Sequence, residues 1–223
     1  MTDLEGVIDR LLVGLAGAGT IPEGPLPDWS RFGELSRAIH AHFSVPATTF
    51  TPAMRRLLFG LGATVAPRTI VGVGTYVAYT YSWLLAGSSS AARPFTRAIA
   101  LDPDQDANRV ARANLSGLTF GSRVAVVDAP GSDVLGHVTG PIDLLFLDLD
   151  DPITAKAGYA DVLRLAEPAL APGALVIAHD ACVPRFARDM SAFGAAAEEL
   201  ERVSEPIVLP VDACGVAIAT VQR

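Results

Sequence analysis

Residues 68–82 read RTIVGVGTYVAYTYS, and this stretch decides the fold. A short apolar run ends in a turn carrying Gly72 and Gly74, and a helical stretch follows. That order is the first half of a strand–helix unit. Downstream the unit recurs. FTRAIALD (95–102) reads as a second strand and DANRVARANLSG (106–117) as a helix. SRVAVVDA (122–129) is a third strand. PIDLLFLDLD (141–150) is a fourth, apolar on both faces. A helix spans about 155–170, ALVIAHD (174–180) is a fifth strand, and another helix follows it. The alternation predicts an α/β fold, a mostly parallel sheet with helices on both faces. The end of the chain, EPIVLPVDACGVAIATVQR (205–223), reads instead as two strands joined by VDACG. The expectation is a seven-stranded sheet closed by a C-terminal antiparallel hairpin.

Upstream of the sheet the pattern is helical. Ile8, Leu11, Leu12 and Leu15 recur at helical spacing. The loop TIPEGPLPDW (20–29) precedes a helix over Arg31–His42, and Thr51-Pro52 is a cap followed by proline at the first helical position. The division expected is a helical lid over 1–66 and a core over 67–223, one compact domain overall. Trp29, Phe32, Phe43 and Phe50 are candidates to touch an acceptor or to pack in the core.

Composition narrows the function. Half of the 223 residues are hydrophobic and 18% are charged, with a net charge of −7. Mean hydropathy is +0.37 and the pI about 5.0. An acidic chain is a poor match to nucleic acid. Cys182 and Cys214 form no CxxC pair, which fits a reducing cytoplasm. The start is acidic rather than basic, and no apolar run reaches the roughly 18 residues of a membrane span.

In open α/β sheets ligands sit at the carboxyl ends of the strands. The turn at Gly72 and Gly74 lets backbone approach a ligand, or serves only as a strand-to-helix turn. Val77 stands where a dinucleotide fingerprint needs its third glycine, which argues against NAD. Asp102 ends the second strand and can accept ribose hydroxyls or cap a helix. Asp128 and Ala129 end the third, at an adenine edge or a loop cap. Near the end of the chain PGALVIAHDAC (172–182) runs an apolar strand into His179 and Asp180.

GVGTYVAYTYS, AIALDPD, VVDA, LLFLDLDD and APGALVIAHDA, in this order, resemble the class I S-adenosylmethionine methyltransferases. More narrowly they resemble the small metal-dependent O-methyltransferases of the catechol and caffeoyl-CoA type, over about residues 45–223. The resemblance implies a Rossmann-like core with S-adenosyl-L-methionine as cofactor and a small-molecule acceptor, commonly in a homodimer. The family's first motif, acidic-x-Gly-x-x-x-Gly-Tyr-Ser, appears here with Gly72 in the acidic place and Ala78 in that of the second glycine. By position Gly72, Gly74, Thr75, Tyr76 and Thr80 line the methionine side, Asp102 the ribose, and Asp128 and Ala129 the adenine. Asp148 adjoins the cofactor and matches the first of three metal ligands. His179 and Asp180 fall on the family's Asp-Asn pair and complete the site.

Magnesium or manganese is the metal implied, although histidine suits softer metals better. His179 is alternatively a metal-free base or a strand cap. Asp151 occupies the place of the family's general base, usually lysine, and would orient the acceptor hydroxyl, or is with Asp150 an exposed loop charge or a cap of the following helix; Lys156 lies a short insertion away. The function implied is O-methylation in bacterial specialised metabolism. The alternatives are metal-independent N-, C- or carboxyl methylation, and a non-catalytic protein of the same fold.

Overall fold

The computed structural model describes residues 3–45 and 50–222. Three helices come first: α1 (Leu4–Gly17), α2 (Trp29–His42) and α3 (Pro52–Val65). The Thr51 hydroxyl caps α3 by accepting from the Met54 N–H. Then come β1 (Thr69–Val73), α4 (Tyr79–Ser90), β2 (Arg97–Asp102), α5 (Gln105–Ser116), β3 (Val124–Asp128) and the short α6 (Val134–His137). The chain closes with β4 (Ile142–Leu147), α7 (Gly158–Ala166), β5 (Leu170–His179), α8 (Ala187–Glu199), β6 (Ile207–Leu209) and β7 (Val216–Thr220).

The strands form one sheet in the order β3-β2-β1-β4-β5-β7-β6. Strands β1 to β5 run parallel, and β7 is antiparallel to both β5 and β6. The expected hairpin is therefore present, with β7 inserted between β5 and β6. Order reverses at β1, which pairs with β2 on one side and β4 on the other. The crevice at this switch point is where such folds bind ligands.

Strand side chains alternate between two cores. Ile70, Ala98, Leu144 and Ile177 face the side covered by α1 to α5. Val71, Ile99, Leu145 and Val176 face the side covered by α7 and α8. Strand β5 begins at Leu170, earlier than the apolar run suggests, with a register shift opposite Ile142 and Leu144. The helix before it is correspondingly shorter than 155–170.

The N-terminal helices are built into the first core. A Cβ on Gly87 of α4 would lie 1.9 Å from the Phe59 carbonyl oxygen of α3. The two helices thus cross with backbones in contact, which larger residues would block. Trp29 and Phe32 pack against Phe59 at ring distances of 5.8 and 5.2 Å, and Phe32 against Trp83 at 5.6 Å. These two aromatics are core rather than acceptor contacts. Phe50 takes a different course, toward the carboxyl edge of the sheet. Among the described residues no helix is long and apolar enough to cross a membrane.

Candidate active site

The turn after β1 is held by backbone. Gly74 has φ +75, and a Cβ there would stand 2.1 Å from the Leu149 Cα. Conformation and space therefore both require glycine. Tyr76 and Ala78 also have positive φ, 47 and 63. Each such residue costs about 1–2 kcal/mol, which the turn's hydrogen bonds offset. The N–H groups of Gly74 and Thr75 donate to the Leu101 carbonyl at 2.8 and 3.2 Å. Ala78, in the place of a glycine, keeps a glycine-like conformation and starts α4. Gly72 has another use: a Cβ there would meet Thr75 Cγ2 at 2.7 Å and the Tyr81 ring at 2.9 Å. It makes room for packing.

Asp102 ties this turn to the next. Its Oδ2 accepts from the Tyr76 N–H at 2.7 Å and its Oδ1 from the Asp104 N–H at 3.0 Å. Burial raises its pKa, against the pull of those two N–H groups. One lone pair on each oxygen stays available to a hydroxyl. Asp128 ends the neighbouring strand on the exposed side, where Arg112 grips it at 2.8 Å. The buried Ala129 donates its N–H to the Asp102 carbonyl at 3.1 Å.

Two cavities meet at Gly74. The larger, about 320 Å³, is lined by Gly74, Asp102, Pro130, Ser132 and Leu149 among others. The smaller, about 130 Å³, is lined by Val45, Gly74, Thr75, Tyr76, Thr80 and Asp148. Thr75 Oγ1 is buried beside it without a hydrogen-bond partner among the described residues.

Beyond the smaller cavity lie Asp148, His179, Asp180 and Lys156. Asp148 follows β4, and its N–H donates to the Val73 carbonyl at 2.9 Å. His179 ends β5 and is 6% exposed. Its Nδ1–H donates to Asp148 Oδ1 at 3.1 Å, with Asp180 Oδ1 at 3.3 Å. Its Nε2 is buried and has no partner among the described residues. The Phe50 ring lies 5.9 Å from the imidazole and the same distance from Tyr79. Asp180 takes φ 62, a conformation Asp tolerates better than most residues.

Lys156 completes the cluster; the sequence placed it near the family's lysine position but not in this ion-paired cluster. It is 1% exposed. Its Nζ lies 2.9 Å from Asp180 Oδ2 and 3.3 Å from Asp148 Oδ1. The Tyr159 and Phe186 rings flank the ammonium, each 5.4 Å away. Burial opposes its charge, but attraction to Asp148 and Asp180 outweighs this and raises its pKa. The same balance raises His179: burial lowers it, and Asp148 and Asp180 more than compensate. Burial also opposes the Asp148 charge, yet His179 and Lys156 leave its pKa lowered.

Asp148, His179 and Asp180 are thus brought together as the sequence reading expects, but around an ammonium. Cys214 places a sulfur with His179 and Asp180, their ligand atoms within 4.8 Å of one another. The Lys156 ammonium already stands between the two carboxylates, 2.9 Å from Asp180 Oδ2 and 3.3 Å from Asp148 Oδ1, and Asp148 Oδ1 is shared with His179 Nδ1. As arranged, this donor set does not fit a divalent metal.

Asp151 stands apart and its expected role needs correction. Its Oδ1 accepts from the Ile153 and Thr154 N–H groups, both at 2.8 Å, in an exposed loop. Those bonds lower its pKa. It borders the larger cavity.

Comparison with known proteins agrees with this architecture. Residues 71–181 match a family described as a methyltransferase domain. No curated protein matches the chain in sequence. Among solved structures it is similar to cofactor-bound Rv0187 from MTB, with 21% identity, TM-score 0.68, and coverage of 87% of this chain and 90% of that one. It is similar to the O-methyltransferase from Bacillus cereus in complex with SAH, at 19% identity and TM-score 0.66, covering 98% and 100%. It is also similar to the O-methyltransferase TomG from Streptomyces achromogenes, involved in tomaymycin synthesis and solved with SAM. There the identity is 17% and the TM-score 0.65, over the whole of both chains.

Proposed function

This chain belongs to the methyltransferase-domain family, and we propose that it moves the methyl group of S-adenosylmethionine to a hydroxyl oxygen of a small molecule. One observation carries the reading: Gly74 lines both cavities. A single elongated cofactor then has its nucleoside in the larger cavity and its amino-acid end in the smaller. Asp102 faces the nucleoside side, and Thr75 and Thr80 the other.

His179 is the base in this reading. Asp148 accepts from Nδ1–H, which leaves Nε2 of the neutral ring with its lone pair free. The acceptor O–H gives its proton to Nε2. Its oxygen attacks the methyl carbon, and the C–O bond forms as the C–S bond breaks. The bonding pair stays on sulfur, leaving S-adenosylhomocysteine, and the imidazolium then loses its proton to water. Positioning and electrostatics are the protein's share of the work. Phe50, against His179 and Tyr79, shields the reacting end from water. No step passes through a metal. The likeness to TomG supports an acceptor from bacterial specialised metabolism.

The test is transfer of radiolabelled methyl from S-adenosylmethionine to a panel of phenols and alcohols. Label on oxygen of at least one acceptor is expected. Label found only on nitrogen or carbon acceptors, or on none, contradicts the reading.

A further inference from the structure

The chain contains one lysine among 17 basic residues of the Lys and Arg types. Every other such position, inside or outside the core, is arginine. The lone exception is Lys156, buried between the two carboxylates of the reacting centre. Lysine and arginine are not interchangeable here. An ammonium is a compact point charge on a thin stem, whereas a guanidinium is a broad planar fork. The compact ammonium sits between Asp148, Asp180 and two aromatic rings.

The surroundings fix it in place. Its backbone N–H donates to Asp189 Oδ2 at 3.1 Å, which anchors the loop to α8. Ala155, just before it, adopts φ 52, a conformation that needs support from its neighbours. The loop also closes on itself, with Asp151 and Ala155 exchanging both backbone hydrogen bonds at 3.0 and 2.8 Å. Anchor and loop together deliver the side chain to the cluster.

We propose that Lys156 is a built-in cation that takes the place of a divalent metal, so that this centre works without one. The inference rests on the methyltransferase reading of the site but goes beyond it. Lys156 is a positioning residue. It balances Asp148 and Asp180, and holds Asp148 where its other contact, His179 Nδ1, finds it. With an ammonium supplying the positive charge, the two carboxylates need no divalent ion to balance them.

The single lysine makes a direct test practical. Protein labelled with ¹⁵N-lysine gives one side-chain ammonium resonance, read in the wild-type chain. It is expected to be visible, slow to exchange with water, and unbroadened when Mn²⁺ is added at equimolar concentration. Broadening by substoichiometric Mn²⁺, lost in Asp180→Asn, would put a metal at the centre and overturn the proposal. In parallel, Mn²⁺ is titrated against wild type and Lys156→Ala, with free ion read by electron paramagnetic resonance. The variant is expected to bind Mn²⁺ at least about tenfold more tightly, since two carboxylates lose their counter-ion. A variant that keeps its circular dichroism yet binds Mn²⁺ no better than wild type also overturns it. Neither readout uses turnover. Titration of S-adenosylmethionine into the same samples separates a failure of this inference from a failure of the methyltransferase reading.

Discussion

The part of this crevice around Gly74, where we propose that the cofactor binds, and the part around His179, where we propose that the acceptor reacts, are built by different means. Around Gly74 the work is done by backbone: positive φ angles, N–H groups donating to Leu101, and Asp102 accepting from two more N–H groups. Around His179 it is done by side chains: an imidazole and an ammonium, each within 3.3 Å of both carboxylates. A backbone site depends on a few residues that no other type can replace. A side-chain site depends on charge balance, so its members act as a unit. Substitutions in the first half should therefore move cofactor affinity, and those in the second should move turnover.

The largest effect expected is at His179. His179→Ala should lower kcat by about 10²–10⁴-fold, the usual contribution of a general base, while the Kd for S-adenosylmethionine stays within about twofold. Single-turnover kinetics beside calorimetry checks both numbers. If affinity and rate fell together, the division between the halves would break.

Next comes Gly74→Val. A Cβ at that position meets the Leu149 backbone, so the turn must move. Relief of such a clash costs roughly 3 kcal/mol, and the Kd for cofactor should rise by about 100-fold. Unchanged affinity would mean that the cofactor does not pass this turn.

The pH dependence sharpens the contrast further. A base must be neutral, and Asp148 and Asp180 raise the His179 pKa against the effect of burial. The ascending limb of kcat should therefore lie above the ordinary imidazole value of about 6.5. Asp148→Asn removes the chief raising influence, so the limb of its residual activity should move to lower pH. The stability sign is opposite to the activity sign. The protonated imidazole stabilises the fold fully below its unfolded pKa, and this is lost as pH rises through the folded one. The smallest effect belongs to Asp151→Asn, since that side chain serves its own loop. Its kcat and cofactor affinity should stay within about twofold of wild type, as a steady-state assay will read.

This contrast also explains what the sequence made legible. The cofactor half rests on a strand followed by a glycine turn, and on acidic residues at strand ends. Those features are local, so RTIVGVG, Asp102 and Asp148 could be read from their own neighbourhoods. Asp180 and His179 were legible for the same reason, standing at the end of an apolar strand. Lys156 was not. It sits in a loop of irregular length between β4 and α7, where spacing says little about where a long side chain ends. The available signal was compositional, one lysine against sixteen arginines. Phe50 could be read as a candidate, but not its contact with His179, which is remote in sequence. Arg112 on Asp128 required the packing of α5 against β3 to be known. For Asp151 the sequence left two readings, chemistry or a loop cap, and its carboxylate accepts from the N–H groups of its own loop.

The most direct test of the central claim is a calorimetric titration of S-adenosylmethionine into wild type and His179→Ala, both in EDTA. The account predicts saturable one-site binding of equal affinity in the two proteins, with methyl transfer retained only by wild type. Absence of binding to wild type in EDTA, restored on adding Mg²⁺ or Mn²⁺ or not at all, would contradict it.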